Sequence, residues 1–141
     1  MAGVFEYHGW LTIRETAGLD DDPALLQRQV EKVRECLAEL GDYGLVDLRW
    51  MNGVPFLHVG GNPNRRGTWG SAIIALFSRV GQIAPGSYGL LYVWDDESGP
   101  QSNEFRVFRL VRGEVTEHAD VWLSPAIPTL EDPWGGDAGT G

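Results

Sequence analysis

Asn52-Gly53 stands between two runs that each read as a β-strand, Leu45–Met51 and Val54–Gly60. No other dipeptide ties two strands together so tightly, because both residues accept the left-handed backbone that a two-residue hairpin loop requires. Such a loop pairs Met51 with Val54. Counting back sets Leu48 against Leu57 and Val46 against Val59 on the core side, with Arg49 against Phe56 and Asp47 against His58 on the other. A slip of one residue would turn every one of these side chains to the wrong face. Pro55, close to the turn, predicts a free edge on its strand.

The remaining segments fall into order around this hairpin. Phe5 to Glu15 alternates, with Phe5, Tyr7, Leu11 and Ile13 on one parity and Glu6, His8, Trp10, Thr12 and Arg14 on the other, the mark of a strand with one apolar face. Asp22 can cap a helix whose first residue is Pro23, where a missing N–H costs nothing. Leu26, Val30, Val33, Leu37 and Leu40 then form one apolar stripe, which Gly41 ends. After the Asn62–Gly67 loop, Thr68 can cap a second helix running to about Val80, with Ile73, Phe77 and Val80 inward and Gly81 as its stop. Tyr88–Trp94 reads as a buried strand, Asp95–Ser102 as an acidic loop, and Phe105–Arg112 as a strand turned by Arg112-Gly113 into a short one near Val115. The mixed parity of that stretch predicts a bulge. The order βαββαβ, with one or two strands added at the C-terminus, predicts an α+β, ferredoxin-like sandwich: two helices on one face of a mainly antiparallel sheet, the other face open.

Composition limits what such a domain can do. A chain of 141 residues and 15.6 kDa fits one domain. The expected boundaries are residues 1–133, followed by a glycine-rich tail, 134–141, that has no core of its own. The net charge of −9 argues against nucleic-acid binding, which needs basic patches, and favours a protein that repels its own copies and attracts a basic partner. Cys36 is the single cysteine, so an internal disulfide and a cysteine-rich metal site are excluded. Neither a signal peptide nor a membrane-spanning run is evident, so the cytoplasm is the expected compartment.

The residues that could carry chemistry are scattered. His8, His58 and His118 lack ligand spacing, and Asp47 opposite His58 already accounts for one of them as a cross-strand pair. Asp20-Asp21-Asp22 reads as helix N-terminal acid rather than a cation loop. Gly60–Gly67 precedes a helix but lacks the Gly-Lys-Ser/Thr of a P-loop, although Arg65 and Arg66 could hold an anion there. Cys36, beside the helical stripe, reads as a buried thiol. No cofactor or metal is expected. The collective pattern says more. The non-core parities carry His8, Trp10, Arg14, Arg49, Phe56 and His58, a composition closer to an interface than to an ordinary surface. Alternatively, the tail or the last strand folds over this face and buries it.

Phe5-Glu6-Tyr7-His8-Gly9-Trp10-Leu11-Thr12-Ile13-Arg14-Glu15, Asp47-Leu48-Arg49-Trp50-Met51-Asn52-Gly53, Gly86-Ser87-Tyr88-Gly89-Leu90-Leu91-Tyr92, Asn103-Glu104-Phe105-Arg106-Val107 and Ser124-Pro125-Ala126-Ile127-Pro128-Thr129-Leu130-Glu131-Asp132-Pro133 together resemble the immunity protein 7 family of bacterial polymorphic toxin systems. The resemblance spans most of the chain and stops before the glycine-rich tail. It implies a cytosolic antidote that binds a cognate protein toxin, and it carries over no catalytic residues.

The expected function is therefore toxin neutralisation by occlusion, with no enzymatic activity, by a monomer or weak homodimer that needs neither nucleic acid nor membrane. Candidate toxin-binding residues are Trp10, Arg14, Arg49 and Phe56 on the open face, with Asp95, Asp96 and Glu97 steering a basic partner. The alternative is a small enzyme or ligand-binding domain using the His8/Trp10 face and the Asn62–Gly67 loop.

Overall fold

Asn52 (φ 53°) and Gly53 (φ 78°) both take left-handed backbone, and the strands that they join, β2 (Leu45–Met51) and β3 (Val54–Gly61), pair in the register set by their alternation. Asp47 opposes His58, Leu48 opposes Leu57, Arg49 opposes Phe56 and Met51 opposes Val54. This computed structural model describes residues 4–41, 43–63 and 67–127. Its other elements are β1 (Phe5–Thr12), α1 (Pro23–Leu40), α2 (Gly67–Ile83), β4 (Tyr88–Asp95), β5 (Phe105–Val111) and β6 (Glu114–Ala119). Arg112 (φ 52°) and Gly113 (φ 80°) repeat the same turn between β5 and β6.

The six strands form one antiparallel sheet in the order β2-β3-β1-β4-β5-β6. Each helical crossover skips a strand: β3 lies between β1 and β2, and β1 lies between β3 and β4. The two C-terminal strands then extend the sheet beyond β4 by hairpins. The result is an open α+β sheet with two extra C-terminal strands, as expected, and its edges are β2 and β6.

One face is dry. Phe5, Tyr7 and Leu11 of β1, Leu57 and Val59 of β3, Leu91 and Val93 of β4 and Leu110 of β5 form a single buried cluster with Val30, Val33 and Leu37 of α1 and Ile73, Phe77 and Val80 of α2. Each such side chain contributes about 1.5–3 kcal/mol by leaving water. Asp22 caps α1 by accepting the Leu25 N–H at 3.1 Å, and the buried Glu15 carboxylate accepts the Asp22 N–H at 2.7 Å. Cys36 is buried in the same cluster.

Three local expectations are corrected. Gly81 does not end the second helix, which continues to Ile83. It is the point where α2 meets the β5–β6 turn, and a Cβ there would stand 2.7 Å from Leu110 Cδ1 and 3.2 Å from Gly113 Cα. Pro55 lies in an interior strand rather than an edge. Its carbonyl accepts from Ile13 N at 3.0 Å on the β1 side, just past the last residue of β1, so its missing N–H falls at the end of that ladder. The β5–β6 ladder runs from Arg106↔Ala119 to Val111↔Glu114 without a bulge. The parity of β5 is mixed because it is covered on both faces: Val107 on one side and Leu110 on the other are both buried.

Candidate protein-binding face

Residues directly opposed across antiparallel strands point to the same side, so the register lays out the face away from the helices as a series of rows. One row runs Asp47, His58, Trp10, Leu90, Arg109, Thr116. The next, nearer the β2–β3 turn, runs Arg49, Phe56, Thr12, Tyr88, Val111, Glu114. Trp10 stands near the middle, 38 % exposed, edge-on to Tyr88 with ring centroids 6.2 Å apart. Arg49 lies 3.2 Å from the Asp47 carboxylate on the same strand, an exposed pair that adds little stability and leaves the guanidinium open to a partner. Phe56 is half-buried beside it.

The other half of the face is different. Tyr92 and Trp94 pack against Phe105, and Val107 is only 9 % exposed although it points away from the helices. The cover is the chain beyond β6. The buried Asp120 carboxylate accepts the N–H groups of Trp122 (3.0 Å) and Leu123 (2.7 Å) and the Ser124 hydroxyl (3.0 Å). Burial alone would raise its pKa, but these hydrogen bonds outweigh burial and hold the carboxyl below its usual range. Ser124 Oγ in turn accepts from Phe105 N at 2.9 Å. Asn103 grips Ile127 through both its amide N–H and its amide oxygen, at 2.9 and 2.8 Å. Val121 and Trp122 thereby roof a cleft of about 200 Å³ over Leu90, Tyr92 and Val107. Among the described residues, no three His, Cys, Asp or Glu side chains converge as a metal site, and no helix is long and apolar enough to cross a membrane.

The sequence profile of the family described as immunity protein 7 matches residues 4–132. The chain belongs to that family. Among curated proteins and among solved structures, nothing matches it.

In this immunity protein the expected site residues fall into three groups. Trp10, Arg49 and Phe56 come together on adjacent rows of the face. Arg14 lies beyond the end of β1, where its guanidinium donates to the Gly18 carbonyl at 3.3 Å, so it borders the face rather than standing in it. Asp95, Asp96 and Glu97 sit at the far end of β4. Asp95 opposes Phe5 while Leu90 opposes Trp10, which puts the acids on the order of 17 Å away along the strand. Two of them also serve the backbone, Asp96 accepting Val4 N at 2.8 Å and Asp95 accepting Glu97 N at 3.1 Å. Of the Asn62–Gly67 loop, residues 64–66 lie outside the described part of the chain, and with them Arg65 and Arg66.

Sequence reasoning missed the exposed apolar roof of Val121, Trp122 and Leu123, with Trp122 81 % exposed. The signal was present as an aspartate followed four residues later by a serine, a spacing that lets one carboxylate collect successive N–H groups and a hydroxyl.

Proposed function

We propose that this immunity protein acts in the cytoplasm by binding a cognate bacterial protein toxin and occluding it, without catalysing a reaction, and that the uncovered half of the sheet face is the binding surface. The observation that carries the reading is Trp10. It is a large ring, still more than a third exposed, beside Phe56 and Arg49 on the half of the face that residues 120–127 leave unroofed. Aromatic rings offer a large contact area at low entropic cost and arginine a fork of directed donors, and both are enriched among the few residues that dominate interface energies. The net charge of −9 supports a basic partner, with Asp95, Asp96 and Glu97 acting at long range on the rate of encounter.

One contact favours the second reading, a small enzyme or ligand-binding domain using the His8/Trp10 face and the Asn62–Gly67 loop: His8 Nε2 lies 2.6 Å from Glu6 Oε2. Both residues are on one strand and the imidazole is mostly exposed, which suits a solvated rim better than a buried acid–base pair. The deciding experiment mixes the purified chain with its cognate toxin domain. Toxin activity should fall in proportion to added chain, and amide exchange should slow across β1 and β3. Protection confined to the helices would move the site to the other side of the molecule.

A further inference from the structure

Strand β2 ends the sheet, so among the described residues one side of its backbone has no partner strand. The hairpin decides which groups point outward. In a two-residue loop the flanking pair, here Met51 and Val54, exchanges both backbone hydrogen bonds. Alternation then turns the N–H and C=O groups of Asp47, Arg49 and Met51 toward β3, and those of Val46, Leu48 and Trp50 outward. The bond from Ile13 N to the Pro55 carbonyl fixes the same alternation on β3, since Pro55 faces β1 and its neighbours face β2.

The outward set is symmetric about Leu48, and so is the side-chain pattern. Reflecting the strand on Leu48 sets Val46 opposite Trp50 and Asp47 opposite Arg49. We infer that β2 pairs antiparallel with β2 of a second copy of this chain, across a two-fold axis at Leu48, joining two sheets into one. Six backbone hydrogen bonds form between the outward groups of Val46, Leu48 and Trp50 in the two copies. Asp47 of each copy meets Arg49 of the other in the closer, non-hydrogen-bonded pairing, with Cα atoms about 4.5 Å apart. Opposite charges stabilise such a pair, and a parallel or shifted arrangement would lose this match.

The second copy fits this edge for reasons of charge. β2 carries one acid and one base, so it is neutral and complementary to itself, although the chain as a whole bears −9. Salt screens the long-range repulsion beyond about 8 Å at physiological ionic strength and leaves contacts at the seam largely in place. The edge also lacks the usual guards against pairing: no proline or lysine interrupts Leu45–Met51, and Leu45 and Met51 are 57 % and 44 % exposed. The inference does not rest on the toxin-binding reading, but it assigns Arg49 to the seam, so the toxin face would rest on Trp10, two strands away, and Phe56.

Charge exchange tests it. Sedimentation equilibrium of the full chain near physiological salt should give twice the mass of 15.6 kDa. Asp47→Arg places arginines opposite arginines and Arg49→Asp places acids opposite acids, and each should weaken the dimer by about tenfold or more. The double variant Asp47→Arg/Arg49→Asp should dimerise again. So should an equimolar mixture of the two single variants, which also shows that both are folded. A wild-type chain that stays at the monomer mass, single variants that remain dimeric, or a mixture that does not recover would each overturn the inference.

Discussion

Val107 and Trp10 point the same way from the same sheet, yet the first is 9 % exposed and the second 38 %. The difference lies in the chain after β6. Asp120 gathers the next turn of chain and Asn103 pins its end, so residues 120–127 roof the β4–β6 half of the face and stop short of β1, β3 and β2. A sheet face is therefore two surfaces here, one covered by the protein itself and one that no described residue roofs. The same antiparallel pleat underlies both, and the covering segment separates them.

The sharpest way to break the comparison is to remove one indole from each half. Trp10→Ala should weaken toxin binding by about 2 kcal/mol or more, roughly thirtyfold, if the ring is an anchor. Trp122→Ala, on the roof, should leave affinity unchanged although its ring is the more exposed of the two. Titration calorimetry on variants with native circular dichroism reads both. The opposite ranking would make the roof the toxin site.

Stability should divide along the same line. Val107→Ala removes buried methyl groups and should cost about 2 kcal/mol. His58→Ala, in the same row as Trp10, should stay within about 0.5 kcal/mol. Denaturant melts of the two variants give the comparison directly, and equal losses would mean that the Trp10 half is covered as well.

How far the sequence could be read also tracks this division. The register of β2 and β3 was legible because an Asn-Gly turn admits one pairing, and β1 because a strand with one wet face must alternate. The grouping of Trp10, Arg49 and Phe56 came from those two facts. β5 was misread as bulged because burial on both faces erases alternation, and the covering segment lies more than a dozen residues away in sequence. Gly81 has the appearance of a helix stop, while its reason is the approach of Leu110 and Gly113, which no local rule contains. Arg14 keeps the parity of the face, but the chain leaves the sheet after Thr12 and takes its side chain to Gly18.

Asp120 holds the boundary between the halves, so its loss should blur it. Asp120→Ala leaves two N–H groups and a hydroxyl without their acceptor and should cost about 1–2 kcal/mol. The pH dependence has a definite sign. The folded-state pKa is lowered, so the ionised carboxylate stabilises the protein at neutral pH. That contribution fades as pH falls from the usual carboxylate value, about 3.9, toward the lower folded one. Melting temperatures of wild type and Asp120→Asn should therefore differ at neutral pH and converge on acidification. A gap that widened below pH 4 or so would contradict the assignment.

Smaller still is the effect expected of the acidic loop, which lies at the far end from Trp10. Asp95→Asn, Asp96→Asn and Glu97→Gln keep the acceptor oxygens for Val4 N and Glu97 N while removing charge. Association with a basic toxin should slow a few-fold at low salt and recover at high salt, with dissociation unchanged. Stopped-flow kinetics at two ionic strengths separate this from a contact role, in which dissociation would accelerate.

The least change should come from removing Trp134–Gly141, which lies outside both the described residues and the matched span of residues 4–132. We propose residues 1–133 as the domain, because this last segment has four glycines in eight positions and no apolar period with which to pack. About 1 kcal/mol moves the melting point of a domain this size by a few degrees, so deletion should shift it by less than about 2 °C. Indole and amide exchange at Trp10 should also stay the same. A drop of several degrees, or faster exchange at Trp10, would mean that the tail rests on the uncovered half. The two halves would then differ only in which stretch of the same chain covers them, and the toxin site would have to be sought elsewhere.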